Sequence, residues 1–121
     1  MAKKIALFLC LLSMPLLGGS ISGEYGITGF NPYSQKSYQG KAIVEENGDV
    51  CNVTWHISPA SQVFTGTGIR KGDSLSVAFR NLSNDAEVGV YTYQIKDDTL
   101  TGKWIYIGRD KKGSETLKLL Q

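Results

Sequence analysis

Apolar and polar residues alternate through most of the chain beyond residue 23. In Val50–Ser58, Cys51, Val53, Trp55 and Ile57 alternate with Asn52, Thr54, His56 and Ser58. Successive side chains of a strand point to opposite faces, so a period of two marks a half-buried strand. Residues 88–96 repeat it, with Tyr91, Tyr93 and Ile95 set against Val90, Thr92 and Gln94. In residues 99–107, Leu100, Gly102, Trp104 and Tyr106 share one face. Further strands are expected at residues 24–30, 38–45, the two arms of 62–79, and 113–120. The Leu-rich end of the last also suits a short helical turn. Beyond the N-terminal segment, no stretch carries a 3.6-residue apolar period.

Turn-forming residues separate these strands: Asn31-Pro32, Asn47-Gly48-Asp49, Ser58-Pro59-Ala60, Lys71-Gly72-Asp73, Ser83-Asn84-Asp85, Lys96-Asp97-Asp98 and the run from Asp110 to Gly113. Gly, Asn, Asp and Pro favour turns through positive φ, side-chain bonds to the backbone, or a fixed φ. Even spacing and short loops predict an all-β domain in which each strand pairs with the next. The expected fold is a single antiparallel, up-and-down, eight-stranded β-barrel, because closure removes both exposed edges. A two-sheet β-sandwich is the alternative. In the hairpin of residues 62–79, a Lys71-Gly72 turn sets Gly68 opposite Leu75, Gly66 opposite Val77 and Phe64 opposite Phe79. Small residues then meet large ones on an inner face. A three-residue loop would turn Val63, Thr65, Thr67 and Ile69 inward instead.

The N-terminal segment breaks the pattern. Lys3 and Lys4 precede a nearly continuous apolar run from Ile5 to Leu17, followed by Gly18, Gly19 and Ser20. This is the layout of a secretory signal, expected to be cut after Ser20 or Ser22. The run is shorter than the roughly 20 residues a spanning helix needs. Residues 1–22 are read as the signal and 23–121 as the barrel domain, exported to the periplasm or beyond. Of 13 Lys and Arg, loss of Lys3 and Lys4 leaves 11, equal to the 11 Asp and Glu. That balance argues against a nucleic-acid partner. Cys51 is then the one remaining cysteine, expected as a small buried hydrophobe. Lys41, Thr54, Ser74, Thr101 and Lys103 fall on the outer face, so the barrel is not expected to span a membrane.

Candidate chemistry is sparse. His56, the single histidine, alternates with the apolar face and is expected at the surface. No metal-ligand spacing occurs, and neither a cofactor nor a catalytic residue is indicated. Glu45 and Glu46 point to opposite faces, and Asp97-Asp98 belongs to a turn. Glu115 is read as solvent-facing. Thr65-Gly66-Thr67-Gly68 lacks the context of a phosphate loop. The aromatics are the richest feature. Trp55, Phe64, Phe79, Tyr91 and Trp104 are the candidate lining of an interior ligand site. Tyr33 and Tyr38 bracket the longest loop, near one barrel mouth.

The segment from Gly66 to Phe79, with Val90-Tyr91, Leu100-x-Gly102-x-Trp104 and Gly113-x-Glu115-Thr116-Leu117, resembles small exported bacterial proteins of uncharacterised function. Some of these carry a fibronectin-binding label. The resemblance implies architecture and assigns no binding residue. The strand layout is also similar to avidin-type and lipocalin-type barrels, a likeness of fold alone. The expected function is a non-enzymatic binding module outside the cytoplasm, engaging a protein partner through loops that include Lys36, Asn47, Gly48, Asp49, Lys71, Asp110, Lys111 and Lys112. The alternative is a carrier of a small apolar molecule in the barrel interior.

Overall fold

A computed structural model describes residues 19–58 and 60–120; most of the expected signal, residues 1–18, lies outside them. Eight strands follow one another: β1 (Gly23–Asn31), β2 (Lys36–Asn47), β3 (Val50–Ser58), β4 (Gln62–Lys71), β5 (Ser74–Asn81), β6 (Asn84–Lys96), β7 (Thr99–Tyr106) and β8 (Gly113–Leu119). Each pairs antiparallel with the next, and β1 pairs with β8 from Tyr25↔Leu119 to Phe30↔Ser114. The result is a closed up-and-down barrel. The Leu-rich end of the chain is strand, because Leu117 and Leu119 continue the period of two against β1. Strand β6 begins at Asn84, earlier than the sequence suggests, after a register shift at Arg80/Asn81.

The two ends differ. At one, β2–β3, β4–β5 and β6–β7 are joined by two-residue turns whose first residues, Gly48, Gly72 and Asp97, have φ of 67°, 61° and 55°. Positive φ at that position matches the twist of the flanking strands. The carbonyls of Asp49, Asp73 and Asp98 then accept from the amides of Arg70, Ile95 and Leu119. This end is the turn end. The other end, the mouth, carries the longer connections, including residues 32–35 and 107–112.

Inward positions form rows along the ladder partners. One runs Leu75, Tyr93, Gly102, Glu115, Gly29, Tyr38. Another runs Cys51, Gly68, Val77, Tyr91, Trp104, Gly113. Aromatics lie over the neighbouring glycines. A Cβ added to Gly29 would fall 2.2 Å from the Tyr38 ring, and one on Gly113 would fall 2.1 Å from the Trp104 ring. The alternation lets large rings fit a narrow interior.

The hairpin of residues 62–79 corrects the expected register. Gly68 faces Val77, Gly66 faces Phe79 and Phe64 faces Asn81, because the turn is Gly72-Asp73. Sliding a two-residue turn by one position moves each pair by two residues, which preserves the faces. Gly66, Gly68, Leu75, Val77 and Phe79 therefore still share the inner face.

Cys51 sits in the core with 0% exposure. Burial first, then the Glu46 charge, pushes its thiol upward, and the thiolate is the reactive form. A thiol reagent is expected to modify Cys51 only as the barrel unfolds, with labelling tracking the denaturant transition. Rapid labelling in native buffer would contradict this placement.

Candidate functional site

Glu115 is the central correction to the sequence reading. It is 2% exposed and points into the barrel. Its position on β8 follows from parity. Gly113, Glu115 and Leu117 alternate with Ser114 and Thr116, and Leu117 belongs to the core. An inward Leu117 carries Glu115 inward with it.

Four donors from three strands converge on this carboxylate. Tyr38 Oη donates to Oε1 at 2.7 Å and Tyr91 Oη to Oε1 at 2.9 Å. Tyr93 Oη donates to Oε2 at 2.5 Å and Trp55 Nε1 to Oε2 at 3.1 Å. Trp104 Nε1 donates to Tyr38 Oη at 2.9 Å, extending the network to β7. Tyr93 and Tyr38 reach Glu115 across Gly102 and Gly29, which leave the intervening positions empty. Among the described residues, no buried side-chain polar atom lacks a partner.

The electrostatics follow from this geometry. Burial raises the Glu115 carboxyl, and the donors from Tyr93, Tyr38, Tyr91 and Trp55 pull it back in part. Burial and then the Glu115 charge raise the hydroxyls of Tyr38, Tyr91 and Tyr93. The three phenols thus stay neutral and act as donors. With each carboxylate oxygen taking two bonds, Glu115 works as a brace between strands.

Above this floor a cavity of about 310 Å³ opens at the mouth. Phe64, Phe79, Tyr91, Trp104, Tyr106 and Ile57 wall it, and Ser34, Lys36, Ser37, Ser58 and Gln62 also line it. Phe79 and Tyr91 rings lie 4.8 Å apart, Phe64 and Phe79 5.8 Å, and Trp104 and Tyr106 5.1 Å. The loops are also tied together beside the opening. Tyr33 Oη donates to the Lys111 carbonyl and accepts from its amide, each at 3.0 Å. Arg109 lies over the Tyr33 and Tyr106 rings at 5.2 and 5.0 Å. Burial, then the Glu87 charge, pushes Tyr106 up to about 12.

Of the five candidate lining residues, Phe64, Phe79, Tyr91 and Trp104 line this cavity. Trp55 is fully buried beneath it, stacked on Tyr91 at 4.8 Å. Tyr38, Tyr106 and Ile57 are the other aromatic or large apolar side chains of the lining. Period two already placed Tyr106 and Ile57 inward, and Tyr38 was placed only near the mouth. The candidate loop contacts do not make one surface. Lys36, Asp110, Lys111 and Lys112 belong to the mouth, whereas Asn47, Gly48, Asp49 and Lys71 belong to the turn end. His56 is exposed on the outer face, and among the described residues no cluster of His, Cys, Asp or Glu could hold a metal ion.

The chain is an all-β protein of the closed eight-stranded barrel class. A solved structure of a redesigned beta barrel is similar to it, with a TM-score of 0.72 and 12% identity over 84% of this chain and 92% of that one. At that identity the likeness concerns the fold. No family model and no curated protein matches the chain.

Proposed function

We propose that this protein is an exported, non-enzymatic binding module that holds a small, largely apolar molecule in the mouth of its barrel. The observation that carries the reading is the aromatic-walled cavity of about 310 Å³, open at one end. Small-molecule sites have volumes of roughly 300–1,000 Å³, apolar walls and a few fixed polar groups. The lining rings meet at tilted or edge-on angles, a wall of aromatic faces and edges that suits an apolar ligand. Ser34, Lys36, Ser37 and Gln62 suit a polar or anionic group at one end of that ligand. Glu115 supports the reading because it fixes the Tyr38 and Tyr91 rings without needing the ligand.

The test combines two measurements on the exported protein. Native mass spectrometry of material from its own host is expected to show a retained small molecule. Titration with anilinonaphthalene sulfonate, an aromatic and largely apolar anion, is expected to give one site per barrel. Ala60→Trp, placed in the lining, is expected to weaken that binding by about tenfold, equal to ~1.4 kcal/mol. Unchanged probe binding in the variant, or neither a retained molecule nor probe binding in the wild type, would overturn the reading.

A protein partner engaging the mouth loops is the second reading. Leu82 and Ile107, 50% and 66% exposed, support it, since both lie in connections at the mouth. Leu82→Ser with Ile107→Ser would weaken such an interaction and leave probe binding in the cavity intact, since neither residue lines the cavity.

A further inference from the structure

The turn end holds a second arrangement that the ligand site does not explain. Ile21 precedes β1, yet it is 5% exposed and belongs to the core. Its amide donates to Glu46 Oε1 at 2.8 Å. Its carbonyl accepts from the buried Tyr25 hydroxyl at 2.7 Å. Ser22 Oγ accepts from the Glu46 amide at 2.8 Å. Arg70 Nη1 lies 3.2 and 3.1 Å from the two Glu46 carboxylate oxygens, and both side chains are 10% exposed. Upstream, Gly19 and Ser20 are exposed.

We propose that an export peptidase cleaves the chain between Ser20 and Ile21, and that the new Ile21 α-ammonium pairs with Glu46 to close the turn end of the barrel. An export peptidase needs small residues at the cut and two positions before it. Two bonds meet this: after Ser20, with Gly18 and Ser20, and after Ser22, with Ser20 and Ser22. The barrel separates them. A cut after Ser22 removes Ile21 from the core, the acceptor of the Tyr25 hydroxyl, and the Ser22 hydroxyl that receives the Glu46 amide. A cut after Ser20 keeps all three. It gives up two exposed contacts, Arg70 Nη1 with the Gly19 carbonyl and the Ser22 amide with Ser20 Oγ.

Water adds across the Ser20–Ile21 amide in that step. The carboxylate leaves on the Ser20 side, and Ile21 keeps the nitrogen, which takes up a proton. The bond to Glu46 then changes from amide–carboxylate to ammonium–carboxylate. Bonds between two charged partners are the stronger kind. Glu46 is left between two cations, Arg70 and the terminus, and Ile21 is held as a plug.

The full chain is to be produced with its leader in a bacterial host, and the exported form analysed by intact mass and N-terminal sequencing. The expected product begins at Ile21. A product beginning at Gly23 or elsewhere, or an uncleaved chain, overturns the proposal. A second measurement tests the ion pair. The Ile21 amine is expected to react with an acylating reagent about tenfold more slowly than in Glu46→Gln, the factor of a bond worth ~1.4 kcal/mol. Equal rates in the two exported proteins would show that Glu46 does not hold the terminus.

Discussion

Glu115→Ala is expected to cost roughly 4 kcal/mol of folding stability, a large share of the ~5–15 kcal/mol typical of a domain. The substitution removes the shared acceptor of Tyr38, Tyr91, Tyr93 and Trp55. The Trp55 Nε1 to Tyr93 Oη bond at 3.1 Å survives. At least two donors are still left buried without partners, at about 1–3 kcal/mol each. Urea unfolding measures the loss. Glu115→Gln keeps the shape and two acceptor lone pairs, so it is expected to retain most of the stability. If Glu115→Ala unfolds at the wild-type midpoint, Glu115 does not hold the floor.

The same residue sets a pH dependence. Its carboxyl is raised in the folded protein, so the native state holds that proton more tightly than the unfolded chain. Stability contributed by Glu115 is greatest below the ordinary carboxylate range. It falls as pH rises from that range through the raised native value, because the ionised form is the less stable when buried. Glu115→Gln carries no such proton. Its stability relative to wild type is expected to improve across that window and to level off on either side. A difference independent of pH would mean that the carboxyl titrates normally.

Gly68→Val is expected to cost about 3 kcal/mol, the upper part of the range for overpacked cores. A Cβ at Gly68 would lie 2.2 Å from the Ser76 carbonyl oxygen and 2.9 Å from the Val77 Cα. Both are backbone atoms of β5, so relief requires opening the β4–β5 ladder. The contrast is Gly48→Ala. Gly48 has φ of +67° and nothing within 4 Å of an added Cβ. Only the left-handed conformation opposes that change, at roughly 1–2 kcal/mol. Parallel thermal melts compare the two. A Gly68→Val loss no larger than that of Gly48→Ala would remove the packing argument.

Glu115 shows how a correct pattern yields a wrong reading. The alternation through Leu117 places position 115 inward, but the residue is a carboxylate, and carboxylates favour solvent. That preference holds when no donors are at hand. Here the donors come from residues 38, 55, 91 and 93, and only closure of the barrel brings them to position 115. The hairpin of residues 62–79 shows another limit. Its faces were legible because any register slip by two leaves them unchanged. Its partners were not, because Lys71-Gly72 and Gly72-Asp73 are both acceptable turns. Phe64, Phe79, Tyr91 and Trp104 were legible as lining since each is a large ring on an inward position.

Local physics determined the strands, their inner faces and their consecutive pairing, since a period of two and turn chemistry each act over a few residues. The register of β1 on β8, the four donors around Glu115, the open cavity above them and the seat of Ile21 on Glu46 were decided by the tertiary structure. Each depends on side chains far apart in sequence meeting inside a closed barrel. Whether such an interior is filled or hollow is set by how their volumes sum after closure, which no local pattern records.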